Sequence, residues 1–228
     1  DRDGIKDQRY VKELEKLKDN DNVKAVVFRV NSPGGSAYAS EQIWKAVTDL
    51  KEKKPIVVSM GDVAASGGYY ISCNASKIIA QPNTLTGSIG IFGMFPNFEG
   101  LTKKVGLTFD HVKTNKYSDF GDVTRPMRED EKVILQSYIE NGYDYFLTRC
   151  AEGRGISKDS VDRIAQGRVW TGNQALEIGL IDGIGGMDKA IEEAAKLADL
   201  EDYALRSFPK KVDFWASLLM DQKEELAT

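Results

Sequence analysis

The residues best suited to chemistry in this sequence are a serine and the glycines of two short loops. Ser66 stands in the run Ala-Ala-Ser-Gly-Gly, and Gly34 and Gly35 follow Asn-Ser-Pro. A nucleophilic serine needs an accessible hydroxyl, N–H donors for the developing oxyanion, and a base. Ser66 offers the hydroxyl, Gly67 offers one N–H, and Gly34 or Gly35 offers the other. A single Ser-Gly-Gly run also fits a plain helix N-cap, but two such loops favour a catalytic nucleophile at position 66.

Both loops follow strands of a predicted parallel sheet. Residues 23–30 form a nearly continuous apolar run that ends in the loop 31–35, and a helical pattern covers 40–53. A second apolar run, 56–60, leads to Ser66, where another helix begins. Strand, helix and strand in this order predict a parallel sheet with right-handed crossovers. Because ligands bind at the carboxyl ends of such strands, we expect the two loops to meet there.

The rest of the chain continues with short elements and reads as one compact domain over 1–208, followed by an amphipathic tail over 209–228 with Phe214, Trp215, Leu218 and Leu219. Ser157 and Thr171 are predicted helix N-caps. The remaining predictions are helices over 8–18, 98–105, 129–152, 157–166, 171–178 and 187–198, strands over 77–80 and 107–113, and irregular, glycine-rich or loop segments over 84–95 and 114–127.

The composition excludes some classes of protein. The 228 residues are 41% hydrophobic and 29% charged, which is ordinary for a globular chain. A net charge of -4 gives no basic surface, so we expect no nucleic-acid partner. No run approaches the roughly 18 apolar residues of a membrane span, and the polar start at residues 1–7 carries no signal peptide. That start reads as the interior of a longer gene product.

The two cysteines, Cys73 and Cys150, belong to no CxxC motif or Cys/His cluster, so no metal site is expected. We interpret them as buried free thiols. The sequence also allows a disulfide between them.

The base that would activate Ser66 is less clear from the residues. The one histidine, His111, lies in the alternating run 107–113 and reads as a strand residue rather than a triad member. The other route is a lysine whose pKa is lowered by burial. Lys113 and Lys116 are the candidates in or near the 114–127 loop.

Three stretches of sequence resemble the signal peptide peptidase A family: residues 29–36, 59–72 and 83–90, and the likeness continues to 167–172. This is a Ser–Lys peptidase family related in fold to Clp protease and crotonase. The resemblance implies an α/β, Clp protease/crotonase-like peptidase domain with a parallel sheet, flanking helices and a C-terminal helical extension. It implies no cofactor.

The same resemblance implies roles for individual residues. Ser66 matches the nucleophile, and the Gly34–Gly35 loop and Gly67 match the oxyanion donors. Ser88, in the run Thr-Gly-Ser, matches the serine that hydrogen-bonds the catalytic lysine. From the residues alone, Ser88 reads as a turn residue.

The chain departs from the family pattern at the lysine. In short family members the lysine lies where this chain has Ser118, and Lys116 is displaced from that position by two residues. Long members have two related halves, with the lysine in the N-terminal half and the serine in the C-terminal half. We therefore expect this chain to be the serine-bearing half, to need the N-terminal half as a partner, and to be almost inactive alone.

The resemblance further implies peptide substrates, cleaved signal peptides above all, and a bowl-like, tetramer-like homo-oligomer. It implies anchoring by a segment outside this chain at the extracytoplasmic, periplasmic face of the bacterial inner membrane. Apolar side chains in 84–98 suit such substrates or form a core or subunit interface: Ile89, Ile91, Phe92, Met94 and Phe95.

Two other functions fit parts of the pattern. Crotonase-type acyl-CoA enzymes also bind an oxyanion with paired glycine loops, but they use carboxylates as acid or base. Asp62 is the candidate near the site, and it reads as a solvated loop residue. A non-catalytic assembly domain would retain the loops as structure only.

Overall fold

The structure is a computed structural model that describes residues 7–209. The tail predicted over 209–228 therefore lies, apart from Pro209, outside the described residues. The strands are β1 (Val26–Ser32), β2 (Ile56–Ala65), β3 (Lys77–Ala80), β4 (Leu85–Gly87), β5 (Val169–Thr171) and β6 (Gly183–Ile184). The helices are α1 (Asp7–Asp19), α2 (Ala37–Lys51), α3 (Gly67–Tyr70), α4 (Glu99–Lys104), α5 (Glu129–Arg154), α6 (Lys158–Ile164), α7 (Gly172–Glu177) and α8 (Met187–Leu197).

Strand β2 organises the sheet. It pairs in parallel with β1 along one edge, with β3 along its first half, and with β4 along its last three residues. Strand β6 extends the sheet in parallel from β3, whereas β5 pairs antiparallel with β4. The predicted parallel sheet with flanking helices is thus confirmed for four pairings, and β5 makes the sheet mixed.

The pairing of β1 with β2 has a bulge at the carboxyl end of the sheet, where the predicted loops lie. Residues 61–63 of β2 lie there opposite Asn31 alone. The register between β1 and β2 shifts between Val30 and Ser32. Asn31 accounts for the shift, because its Oδ1 accepts a hydrogen bond of 3.1 Å from the Val63 N–H. A bulge of this kind lets the last residues of β2 leave β3 and pair with β4.

Helices cover both faces of the sheet. The larger core lies under α1, α2 and α5, where the predicted stripe of α2 (Ile43, Val47 and Leu50) is fully buried. The opposite face packs against α8, whose Ala190 and Ala194 contact Val57 and Ile79. Ser157 and Thr171 are N-caps, as predicted, and each accepts a hydrogen bond from the backbone N–H three residues on.

Two predicted segments differ from the structure. The irregular segment predicted over 84–95 contains β4, a strand of three residues that is too short to show a hydrophobic period. The strand predicted over 107–113 is absent, and His111 lies in irregular backbone. Its alternating apolar residues have no neighbouring strand to pair with, and Val112 is fully exposed. Strands β5 and β6, of three and two residues, were not predicted for the same reason as β4.

Residues 90–145, called the exposed segment below, bury no apolar side chain. Ile89 and Phe146 on either side are buried, but between them only Glu131 is. Large apolar side chains instead face solvent, among them Phe92 (86% exposed), Met94 (83%) and Tyr138 (72%). In residues 7–209, none of the helices has the length and apolar character needed to cross a membrane.

Candidate active site

Ser66 occupies a strained turn between β2 and α3. Its backbone has φ 53° and ψ −121°, in a region that residues other than glycine rarely adopt. Ser66 stands at the N-cap position of α3, but its side chain makes no capping hydrogen bond. In the described part of the chain no group hydrogen-bonds Oγ, so the half-buried hydroxyl is not used as a helix cap.

The Gly34–Gly35 loop packs directly on this turn. A methyl group on Gly34 would lie 2.7 Å from the Gly67 nitrogen and 2.9 Å from Ser66 Cβ. A methyl group on Gly67 would lie 3.3 Å from the Gly35 nitrogen and 2.5 Å from Ser40 Oγ. Only residues without a side chain allow this approach, so the structure brings the two predicted loops together.

The two glycine N–H groups of the first loop differ in their partners. The Gly34 N–H donates to Ser32 Oγ at 3.1 Å. Among residues 7–209, neither the Gly35 N–H nor the Gly67 N–H has a hydrogen-bond acceptor. Gly35 and Gly67 therefore present the two unoccupied donors beside Ser66. The signal for this in the sequence is Ser32, two residues before Gly34, since a serine hydroxyl commonly bonds the N–H two residues on.

Ser88 lies beside the Ser66 turn because β4 pairs with the end of β2. The Ser66 N–H donates to the Gly87 carbonyl at 2.9 Å, and the Ser88 N–H donates to the Arg168 carbonyl at 2.7 Å. Gly87 and Ser88 both have positive φ, 76° and 48°. Ser88 is half-buried, and within the described residues its hydroxyl has no hydrogen-bond partner.

A polar cluster behind α3, which no local pattern in the sequence predicts, supports the turn. The Tyr70 hydroxyl donates to Glu41 Oε2 at 2.5 Å, and Arg149 Nη2 donates to Glu41 Oε1 at 2.7 Å. The Arg149 guanidinium also lies 3.9 Å from the Trp44 ring centroid. Burial, and then the bond to Glu41, raise the pKa of the Tyr70 hydroxyl well above its usual range. The cluster joins α3 to α2 and α5.

The base candidates in this chain pair with carboxylates of the exposed segment. His111 Nε2 lies 3.0 Å from Asp122 Oδ2, and Lys113 Nζ lies 2.6 Å from Asp119 Oδ2. Lys116 Nζ lies 2.5 Å from Asp130 Oδ2. Among the described residues, the structure brings no histidine or lysine into hydrogen-bonding contact with Ser66.

Neither Lys116 nor Ser118 is suited to act as the general base for Ser66. The hydrogen bond that Lys116 donates to Asp130 raises the pKa of Lys116, whereas a general base needs a lowered pKa. The Ser118 hydroxyl donates to the Asn115 carbonyl at 3.0 Å in an exposed turn. Asp62, the candidate carboxylate for acyl-CoA chemistry, lies in β2 rather than in a loop, and its side chain is exposed.

An ionic cluster replaces an apolar core in the exposed segment. Glu131 accepts hydrogen bonds from Arg125 at 2.7 and 2.8 Å and from Arg128 at 2.7 Å. Both arginines also bond Asp119, at 3.0 and 3.2 Å. The Arg125 hydrogen bonds lower the pKa of Glu131 to about 2, and the Lys113 ammonium holds the pKa of Asp119 far below its usual range.

Comparisons with known proteins give the family. Residues 48–201 match Peptidase family S49, and residues 3–86 match the Clp protease family. The chain is 44% identical over 222 residues to "Protease 4" of Haemophilus influenzae, covering 92% of this chain and 35% of that protein. It is 35% identical over 217 residues to "Putative signal peptide peptidase SppA" of Enterococcus faecium, covering 95% of this chain and 63% of that protein.

A third relative, "Serine protease SPPA, chloroplastic" of Arabidopsis thaliana, is 36% identical over 194 residues, covering 85% of this chain and 29% of that protein. The chain thus spans about a third of the length of the long relatives that it matches. The α/β architecture agrees with the Clp protease match, which ends at the strand that leads to Ser88. Because the S49 match covers more than half of the chain and both predicted loops lie in the aligned region of these relatives, this chain belongs to peptidase family S49.

Proposed function

We propose that this chain supplies the nucleophile and the oxyanion site of a serine endopeptidase, and that the lysine base comes from another part of a longer protein. The observation that carries the proposal is the turn at Ser66. There, a hydroxyl in a strained backbone lies beside the N–H groups of Gly35 and Gly67, and none of the three has a hydrogen-bond partner among residues 7–209. Strain and unused donors at one point are typical of functional sites.

In the proposed reaction, Ser66 Oγ attacks the carbonyl carbon of the scissile peptide bond and passes its proton to the lysine amine. The oxyanion that forms accepts hydrogen bonds from the Gly35 and Gly67 N–H groups. The lysine then protonates the leaving amine, and water hydrolyses the acyl-enzyme. Ser88 orients the lysine, a role supported by its free hydroxyl beside the Ser66 turn. Gly34 serves by allowing the loops to approach.

The pairing of the candidate lysines in this chain supports a base that comes from another part of the protein. Lys113 and Lys116 are each paired with a carboxylate. By the family resemblance, Ser118 stands where short family members carry the lysine. A serine hydroxyl without a base is a weak nucleophile, so the chain alone should be almost inactive. The short span of the relatives that it covers agrees with a missing N-terminal, lysine-bearing half.

The exposed segment suits the docking of that half. A folded segment of this length that buries no apolar side chain of its own has to be covered in the working protein. It begins directly after Ser88, so a half that covers it is brought next to the site. We include in the proposal a homo-oligomer, tetramer-like and bowl-shaped, built from such paired halves, with the domain 1–208 as the peptidase unit.

The substrates that we propose are cleaved signal peptides and similar apolar peptides, and the proposed place is the periplasmic face of the bacterial inner membrane, with the anchor outside this chain. The support is the name of the Enterococcus relative and the exposed apolar side chains near Ser88, including Phe92 and Met94.

The test is reconstitution. The chain is co-expressed with the lysine-bearing half, and cleavage of a leucine-rich peptide ester is measured together with labelling by a fluorophosphonate probe. We expect both activities in the assembled protein and neither with Ser66→Ala. Cleavage no greater than that of Ser66→Ala would overturn the proposal. Full activity of the chain alone would instead make Lys113 or Lys116 the base.

A further inference from the structure

Two buried thiols from distant parts of the sequence meet behind the active-site helix. Cys73 lies in the turn between α3 and β3, and Cys150 lies in α5. Both are reduced and completely buried, with 0% of their surface exposed. The Cys73 sulfur lies 3.2 Å from the Tyr70 carbonyl oxygen and 3.6 Å from the carbonyl oxygen of Arg149, the residue next to Cys150 in α5.

The backbones that carry these thiols are also close. Gly153 lies almost one helical turn after Cys150, and a methyl group there would lie 2.4 Å from the Cys73 carbonyl oxygen. A disulfide requires its two backbones to approach closely, because the distance between the Cα atoms spans only about 4.4–6.8 Å. The glycine at position 153 allows the backbone of α5 to lie directly against the backbone of the turn at Cys73 and Asn74.

We propose that Cys73 and Cys150 are a disulfide site, which closes when the protein is exposed to a low-molecular-weight disulfide as oxidant. One thiolate attacks a sulfur of the oxidant and releases one equivalent of reduced thiol. The second thiolate then attacks the mixed disulfide, the Sγ–Sγ bond forms, and a second equivalent of reduced thiol leaves. The protein loses two protons and two electrons, and the oxidant gains them.

The bond would anchor the exposed segment. The chain between residues 73 and 150 contains Ser88 and the whole of residues 90–145. A cross-link that closes a loop of this size restricts the unfolded chain strongly, so it should stabilise the folded state. It would also fix the start of the buried part of α5 to the turn that follows the Ser66 helix.

Burial makes the closure slow in the native state. It raises the pKa of the Cys150 thiol and keeps the oxidant out, so the thiolate that must react is scarce. The bond should therefore form during folding, or when α5 separates briefly from the turn. Slow closure in the native state distinguishes this pair from an exposed regulatory cysteine, which reacts with an oxidant at once.

The experiment uses the purified chain and does not depend on peptidase activity. The protein is incubated with oxidised glutathione, with and without urea at a concentration below the unfolding transition. Thiols are then counted in denaturant, the intact mass is measured, and non-reducing peptide mapping is performed. We expect two titratable thiols before oxidation and none after it, a mass lower by two hydrogens, one peptide that joins Cys73 to Cys150, and faster closure in urea.

The control is the same sample after reduction, together with the variants Cys73→Ala and Cys150→Ala. The urea midpoint of the oxidised protein should rise and should return on reduction, and neither variant should show a reversible rise. Two thiols that remain titratable after oxidation in urea would overturn the proposal. Glutathione adducts or dimers linked between chains, without the peptide that joins residues 73 and 150, would overturn it as well.

Discussion

The backbone N–H of Ser66 donates a hydrogen bond of 2.9 Å to the carbonyl oxygen of Gly87. This bond continues the pairing of β2 with β4 by one residue, beyond the partners Ala65 and Gly87. The next residue along, Ser88, donates its own N–H to the other side, to Arg168. Strand pairing therefore fixes both serine backbones, and neither position depends on a contact of its side chain.

The strain at Ser66 predicts that glycine is the more stable residue there. At φ 53° and ψ −121° a residue other than glycine is strained by about 1–3 kcal/mol, and the entropy of glycine offsets about 1 kcal/mol of the relief. We expect Ser66→Gly to raise the free energy of unfolding by roughly 1 kcal/mol. Ser66→Ala keeps the strain and should leave stability within about 0.5 kcal/mol. Urea denaturation of the three proteins measures both, and a Ser66→Gly protein less stable than Ser66→Ala would contradict the assignment of strain.

The contact between the two loops predicts that Gly67→Ala is disruptive. The new methyl group would lie 2.5 Å from Ser40 Oγ and 3.2 Å from Gly34 Cα, in a fully buried position. Overpacking of this kind costs about 1–3 kcal/mol. In the reconstituted enzyme, the shift of the loops should also lower kcat more than it raises KM, since the oxyanion donors act in the transition state.

Gly100→Ala is the matched control, because a methyl group at Gly100 has no atom within 4 Å and lies in helix α4. Its stability should be unchanged or slightly higher. Equal effects of the two substitutions on the urea midpoint would show that the close approach at Gly67 does not contribute to the free energy of unfolding.

The ionic cluster predicts an acid-sensitive exposed segment. The pKa of Glu131 is lowered to about 2 by Arg125, so its contribution to stability is complete above the pKa of the unfolded chain. That contribution is lost as the pH falls from about 4.5 towards 2, because the unfolded state then binds the proton first. We expect the urea midpoint of the wild type to fall over this range and that of Glu131→Gln to fall less.

Glu129→Gln serves as the control for that titration, since the Glu129 side chain is 87% exposed and pairs with Lys132 outside the cluster. Its pH profile should follow the wild type. A Glu131→Gln profile that is parallel to the wild type throughout would mean that the cluster does not couple to folding.

The exposed segment predicts substitutions that weaken assembly with the lysine-bearing half without changing the stability of the isolated chain. Phe92 and Met94 are 86% and 83% exposed, so replacing both with serine should leave the urea midpoint of the isolated chain unchanged. The same double variant should bind the lysine-bearing half at least tenfold more weakly, as seen in titration calorimetry, because apolar anchors carry most of the energy of an interface. Leu205→Ser, at a residue that is 66% exposed outside the segment, should bind like the wild type. Undiminished binding by the double variant would exclude this part of the segment from the interface.

The sequence was informative where local chemistry decides the structure. The loops after β1 and β2 carry Pro, Gly and Ser at their turns and follow nearly continuous apolar runs, so both loops and their meeting point were predictable. Helix α2 was predictable from the apolar stripe of Ile43, Val47 and Leu50, and the helices after Ser157 and Thr171 from their N-caps. The choice of Ser66 as nucleophile came from the same loop and stays a prediction.

The sequence was less informative where the local structure depends on contacts with segments that are distant in the sequence. Strands β4 and β5 have three residues each and exist because they pair with each other and with β2, which no local pattern records. The wrong strand at 107–113 is the reverse case, since its alternation has no partner. Which glycine N–H stays free depends on the direction of the Ser32 hydroxyl, and Ser88 was identified only through the family resemblance.

The bulge at Asn31 and the two glycine loops all lie within residues 26–70, a single strand–helix–strand–helix unit. The contacts that place Gly35 and Gly67 beside Ser66 thus join residues fewer than forty apart, and loop closure of this length costs little entropy. Chains rich in such local contacts fold fast. We therefore expect the contacts between the two glycine loops to form early, before pairing with Gly87 fixes the Ser66 backbone and before Arg149 of α5 joins the polar cluster that supports the turn.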